Sequence, residues 1–185
     1  MVKMRLGARL LALGLAMTVT MTAAPAGAGS GAEIDRDVNT AVDKLYTSTP
    51  EAKYLDEKAK GVLVFPSIVK AGFLFGAQYG EGALRRQGRT TGYYSSVAAS
   101  YGLQAGVQTF GYALFFMTDA ALRYLDNSAG WELGTGPSIV ILDVGAARAL
   151  TSTTLQSDMY AVFFDQKGLM AGLGLQGSKI SRIDR

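Results

Sequence analysis

Residues 70–86, KAGFLFGAQYGEGALRR, decide the fold. Gly72, Gly76, Gly80 and Gly82 fall on even positions, while Phe73, Phe75, Ala77, Tyr79 and Glu81 fall on odd ones. A period of two is the signature of a β-strand, whose successive side chains leave on opposite faces. The pattern predicts one face of core side chains and one of nearly bare backbone. Runs on either side extend the reading. GVLVFPSIV (61–69) is rich in β-formers and broken by Pro66, and TTGYYSSVAASYGLQAGVQTFGYALFF (90–116) alternates small with large residues; QGRTTG (87–92) supplies a turn. These are long antiparallel strands.

Glycine weakens a strand unless something approaches closely or the sheet bends. The chain holds 23 glycines in 185 residues, well above the average of about 7%. Two structures fit that excess. One is a tightly coiled sheet or small barrel whose glycine stripe lets a neighbouring element pack down. The other is a shallow groove of exposed backbone for an extended ligand such as an acyl chain, lined by Gly76, Gly80, Gly172, Gly174 and Gly177. In 169–176 the same asymmetry recurs: Leu169, Ala171, Leu173 and Leu175 share one face, Met170, Gly172, Gly174 and Gln176 the other.

GLGLQG (172–177) also spells the G-x-G-x-x-G of a dinucleotide site. That site needs a following helix, a second strand and an acidic residue about 20 positions on. Eight residues follow Gly177 in this sequence, so the glycines belong to a strand and the nucleotide reading fails.

Before the strands, AEIDRDVNTAVDKLY (32–46) carries Ile34, Val38, Ala41, Val42 and Leu45 at helical spacing. A second, short helix follows, with Thr49 as cap, Pro50 at the first turn and Gly61 as stop. MTDAALRYLDNSAG (117–130) predicts a third, capped by Thr118. Further strands are expected near 131–135, 138–144, 159–165, 169–175 and 178–183. The fold class is α+β: a curved, glycine-rich, mainly antiparallel or barrel-like sheet with two or three helices, two of them N-terminal.

The first 28 residues read as a signal peptide, with Lys3, Arg5 and Arg9 before the apolar run LLALGLAMTVTM (10–21) and small residues in TAAPAGAGSGA (22–32). The run is short for a bilayer span, and the cut is expected after Ala26 or Ala28. That segment holds three of the 18 Lys+Arg and none of the 15 Asp+Glu, so residues 29–185 balance at 15 against 15. A neutral single domain gives no global argument for nucleic acid. Cysteine and histidine are both absent, which removes disulfides, thiolate nucleophiles, imidazole bases and the common zinc sites. Ser152, Thr153, Thr154, Ser157 and Asp158 crowd one segment, yet no S-x-x-K supplies a base. Glu81, Glu132 and Asp143 form a carboxylate pair only if the tertiary fold brings them together. The expectation is a non-enzymatic chain without cofactor or metal, exported to the periplasm or secreted.

AKGVLVFPSIVKAGFLFGAQYGEGAL (59–84), GYALFFMTDAALRYL (111–125), GPSIVILDVGAARALTSTTL (136–155) and QKGLMAGLGLQGSKISRI (166–183) resemble the SYLF lipid-binding domain family, in its bacterial exported branch. The K-G-L-x-A-G-x-x-L-x-G block at 167–177 is the most specific part. The resemblance implies a lipid-binding module with no enzymatic activity. Eukaryotic relatives look like phosphoinositide binders that also meet actin through a basic amphipathic N-terminal helix. Here the matching helix carries Glu33, Asp35, Asp37 and Asp43 against Arg36 and Lys44, so those partners are not carried over.

Headgroup-binding candidates are Arg85, Arg86 and Arg89 at the predicted turn, where guanidiniums suit bidentate phosphate contact, and Lys179 and Arg182 near the C-terminus. Solvated hairpin tips are often basic too. Trp131 suits either a membrane interface or the core. The leading functional reading is a lipid-binding module of the bacterial cell envelope, peripheral to a phospholipid membrane or holding a lipid in a glycine-lined groove. A structural envelope protein that binds protein or cell-wall partners is the alternative, and a hydrolase the third.

Overall fold

The computed structural model describes residues 29–72, 75–101, 106–127, 130–133, 135–142, 155–168 and 177–185. Two helices open the chain, α1 (Gly31–Ser48) and α2 (Pro50–Lys58). Four long strands follow: β1 (Gly61–Gly72), β2 (Phe75–Arg86), β3 (Arg89–Tyr101) and β4 (Gly106–Phe116). After α3 (Asp119–Asn127) come β5 (Trp131–Glu132), β6 (Ile139–Leu142), β7 (Met159–Gly168) and β8 (Lys179–Ile183). All eight join one curled sheet in the order β5-β8-β3-β2-β1-β4-β7-β6, antiparallel except for the parallel β6–β7 pair. The α+β expectation holds.

The N-terminal helix forms where the spacing predicted it. Ser30 and Glu33 close a capping box, each side chain bonded to the other's backbone N–H, an arrangement that stabilises a helix start by about 1 kcal/mol. Ile34, Val38, Ala41, Val42 and Leu45 are its buried stripe. With Ala52 and Leu55 of α2 they pack on Val62, Val64, Ala83, Ala113 and Phe115. We call this the outer face of the sheet. The inner face holds a second core of Leu63, Phe65, Ile68, Tyr112, Leu114, Phe116 and Phe163, closed by α3 and Trp131.

Thr49 stands at the N-cap of α2 with Pro50 at its first turn, as expected, though Thr49 makes no side-chain cap bond. Three local expectations change. Gly61 is not the stop of α2, which ends at Lys58; it opens β1 opposite Phe116. Pro66 does not break the strand. The register shifts by one residue between Val64 and Val69, so the proline sits in a bulge where its missing N–H costs no ladder bond. The strand expected at 131–135 shrinks to Trp131–Glu132 because the chain folds back, with Trp131 Nε1–H donating to the Thr135 carbonyl at 2.8 Å. The strand expected at 169–175 lies outside the described residues.

Other signals hold. Thr118 caps α3 through its Oγ1, which accepts from Ala121 N–H at 3.2 Å. Gln87 and Gly88 both adopt positive φ, 51° and 75°, as a two-residue hairpin turn requires. Trp131 is buried against Phe116 and edge-on to Tyr124. Trp131→Ala is expected to cost about 3–5 kcal/mol, read as a lowered denaturation midpoint by circular dichroism.

Candidate functional site

The bulge at Pro66 decides what the far ends of β1–β4 show to solvent. Beyond it, the odd positions of β1 share the outer face with the odd positions of β2, β3 and β4, because directly paired residues point the same way. In register across the sheet run Lys179, Val97, Tyr79, Val69, Thr109 and Lys167. The next row is Ala99, Ala77, Ala71 and Val107, and beyond it stands Phe75. The helices stop short of these rows, only the start of α1 bordering Val69 and Tyr79. Val69 is 48% exposed, Tyr79 48%, Val97 46%, Val107 59% and Phe75 74%.

This reverses the expected faces of residues 70–86. The large odd residues were to be core and the glycines bare; instead Phe75 and Tyr79 face solvent while Gly80 and Gly82 are buried. The cause is the bulged segment of β1. It lays the Ser67 carbonyl and Ile68 over Gly80, and the Val64 carbonyl and Phe65 over Gly82, where a Cβ would overlap them. Close backbone approach is why glycine is required there. The space above Gly80 is therefore filled by Ile68. Gly76 is half-buried at the end of β2 and touches Gly72 across the pair. Gly177 has φ 76° and open space around it. Gly172 and Gly174 lie outside the described residues.

The basic candidates are dispersed. Arg85 donates to the Gly88 carbonyl at 3.1 Å and lines a crevice with Asp56 and Lys58 of α2. Arg86 leaves the strand on the other face and pairs with Asp126 of α3 at 2.6 Å. Arg89 is exposed. Arg182 reaches the Thr91 carbonyl at 3.5 Å. Lys179 ends the apolar row, with Glu132 beside it in register. Sequence reasoning missed Lys167 as a site residue; it closes the opposite end, and its signal was only that it opens the K-G-L-x-A-G-x-x-L-x-G block at 167–177. The arginine turn is at the other end of β2 from Phe75. Over that strand's 12 residues the separation is roughly 40 Å at about 3.3 Å per residue.

A polar cluster borders the apolar row where α1 begins. Glu81 Oε1 accepts from Arg185 and, at 2.6 Å, from the Tyr79 hydroxyl, while Oε2 accepts from Gly29 N–H at 3.1 Å. Burial pushes the Glu81 carboxyl upward, but the Arg185 and Tyr79 hydrogen bonds outweigh it and hold the carboxyl below its ordinary range. Asp35 of α1 accepts from Thr90 at 2.7 Å and Tyr93 at 3.0 Å, tying the helix to β3. Asp158, in the segment weighed for catalysis, accepts from the Ser138 N–H and hydroxyl at 3.1 and 2.9 Å and from Thr118 at 3.3 Å. Those bonds pin the β7 entry to the α3 cap. Asp143, Ser152, Thr153 and Thr154 lie outside the described residues. Among the described residues, no three His, Cys, Asp or Glu side chains gather as a metal site, and no helix is long and apolar enough to cross a membrane.

Residues 97–184 match the model of the family described as Ysc84, Las17-binding protein actin regulator. The chain is thus similar to the Ysc84 (SYLF) family over a little under half of its length. It is also 28% identical over 134 residues to Protein YSC84 of Saccharomyces cerevisiae, an alignment covering 69% of this chain and 28% of that relative. The chain thus spans little more than a quarter of the yeast protein's length. The Ysc84 match runs from Val97 through β8, so it includes Val97, Val107, Lys167 and Lys179 and leaves Val69, Phe75 and Tyr79 before it.

Proposed function

We propose that this chain is a non-enzymatic lipid-binding module of the bacterial cell envelope that docks on a phospholipid surface through the outer face of β1–β4. The observation that carries the reading is the exposed apolar face of Val69, Phe75, Tyr79, Val97 and Val107 with lysines at both ends of its first row. A contiguous apolar patch of this kind marks an interaction site. A phospholipid surface matches both parts of it. Acyl chains receive the valines and Phe75, Tyr79 suits the interfacial level, and Lys167 and Lys179 meet anionic headgroups at about 1 kcal/mol each near such a surface. The hairpin arginines, at the opposite end of β2, have no part in this contact.

Vesicle flotation tests it. The protein is expected to float with vesicles of mixed neutral and anionic phospholipid, more weakly with neutral ones, and to lose part of the anionic preference at high salt. An Arg85, Arg86, Arg89→Ser variant is expected to float like the parent. If that variant alone stays at the bottom, the hairpin is the contact and the apolar face is not. If the parent floats with neither composition, lipid docking is wrong, and a protein target, as the Ysc84 description gives for its family, becomes the better reading.

A further inference from the structure

The Gly29 backbone nitrogen sits against a carboxylate. It donates to Glu81 Oε2 at 3.1 Å. Glu33 accepts from the next residue, from the Ser30 N–H at 2.8 Å and the Ser30 hydroxyl at 2.9 Å, and Glu33 and Asp37 line one crevice with Gly29, Glu81 and Tyr79. Arg185 and the Tyr79 hydroxyl hold the other Glu81 oxygen, and Arg36 is paired with Asp37 at 3.0 Å. Glu81 Oε2 thus accepts from a neutral amide just ahead of a helix start. An ammonium there would bring three donors and a positive charge.

The residues just before Gly29 read Ala26-Gly27-Ala28, the small-x-small pattern that signal peptidases cut after. We propose that a signal peptidase hydrolyses the Ala28–Gly29 bond and that the α-ammonium so produced on Gly29 pairs with Glu81. Water supplies the hydroxyl that makes the Ala28 carboxylate and the proton that makes the Gly29 amine, which takes a second proton from solvent. The pairing also answers an electrostatic problem. A positive charge one residue before the Ser30 cap faces the positive end of the α1 dipole, and Glu81, Glu33 and Asp37 offset it. The other cut expected from the sequence, after Ala26, would leave Gly27 and Ala28 ahead of Gly29 and carry the charge about 7 Å further along the chain. The inference rests on the export part of the proposed function and not on its membrane contact.

The full chain is expressed in a bacterial secretory host, and the exported product is read by N-terminal sequencing and intact mass. A start at Gly29 is expected; a start at Gly27, or an uncut chain, overturns the proposal. On the Gly29-start protein the α-amine is titrated by NMR. Its pKa is expected about one unit above the ordinary value of about 8, and back near that value in Glu81→Gln. A group whose pKa rises on folding stabilises below its unfolded pKa, and that stability is lost as pH climbs through the folded one. The melting temperature should therefore fall between about pH 8 and pH 9.5, and this step should vanish when Gly29 is acetylated, a change that leaves Glu81 and Arg185 intact. Identical α-amine titration in parent and Glu81→Gln would show that no pair forms, whatever the vesicles do.

Discussion

Changing Phe75 to serine and Val69, Val97 and Val107 to threonine is expected to weaken binding to anionic vesicles about 100-fold while leaving the fold in place. Full burial of one such side chain contributes about 1.5–3 kcal/mol. The three valines are already roughly half covered in the free protein and Phe75 about a quarter, so a membrane recovers only part of that. Threonine keeps the β-branched shape that suits a strand and removes about half of the remainder. Together the four changes remove about 3 kcal/mol, which is about two decades in affinity. Because the positions face solvent, the melting temperature should move by only a few degrees. Vesicle binding that survives all four changes would move the contact elsewhere, and a collapsed melting temperature would show that the face is core in solution.

The second large effect is on folding itself. Gly82→Ala places a methyl group into the Val64 carbonyl oxygen, 2.9 Å from the Val64 carbonyl carbon and 2.8 Å from Phe65 Cδ1. Backbone on one side and a fully buried ring on the other leave no flexible group to yield. The expected cost is about 3 kcal/mol or more, a large share of a typical domain stability of about 5–15 kcal/mol. Gly92→Ala is the matched control. Its methyl would meet only side chains, Tyr94 at 3.2 Å and Arg182 at 3.4 Å, and it should be tolerated far better. Urea midpoints of the two variants decide the matter: a parent-like midpoint for Gly82→Ala would mean that β1 does not lie over this glycine.

The contrast explains how much of this protein could be read from its residues. Helical spacing in 34–45, the Thr118 cap and the Gln87-Gly88 turn are local signals, and each appears where the sequence predicts it. The alternation in 70–86 also predicted a strand correctly. It could not say which face was which, because that depends on the partner. A one-residue slip flips every side chain to the other side of a sheet, and the bulge at Pro66 makes such a slip in the middle of β1. The apolar face was therefore visible as a pattern and invisible as a site. Lys179 was singled out for its charge, but its place at one end of that face, and the place of Lys167 at the other, follow only from five strand registers taken together. Arg85 and Arg86 separate because neighbouring strand residues point to opposite faces, while Arg89 pairs with Arg86 across the turn.

The strand order carries a lesson about where this domain begins. β3 and β4 are consecutive strands joined by a short connection, yet β2 and β1 lie between them in the sheet. A cut at Val97, where the family match starts, would run through β3 and remove the two strands that hold its remainder beside β4. The smallest piece able to fold alone is thus longer than residues 97–184, and it must reach back at least to Gly61. Anyone trimming the protein for expression, or grafting it into another, should set the boundary by the weave of the sheet.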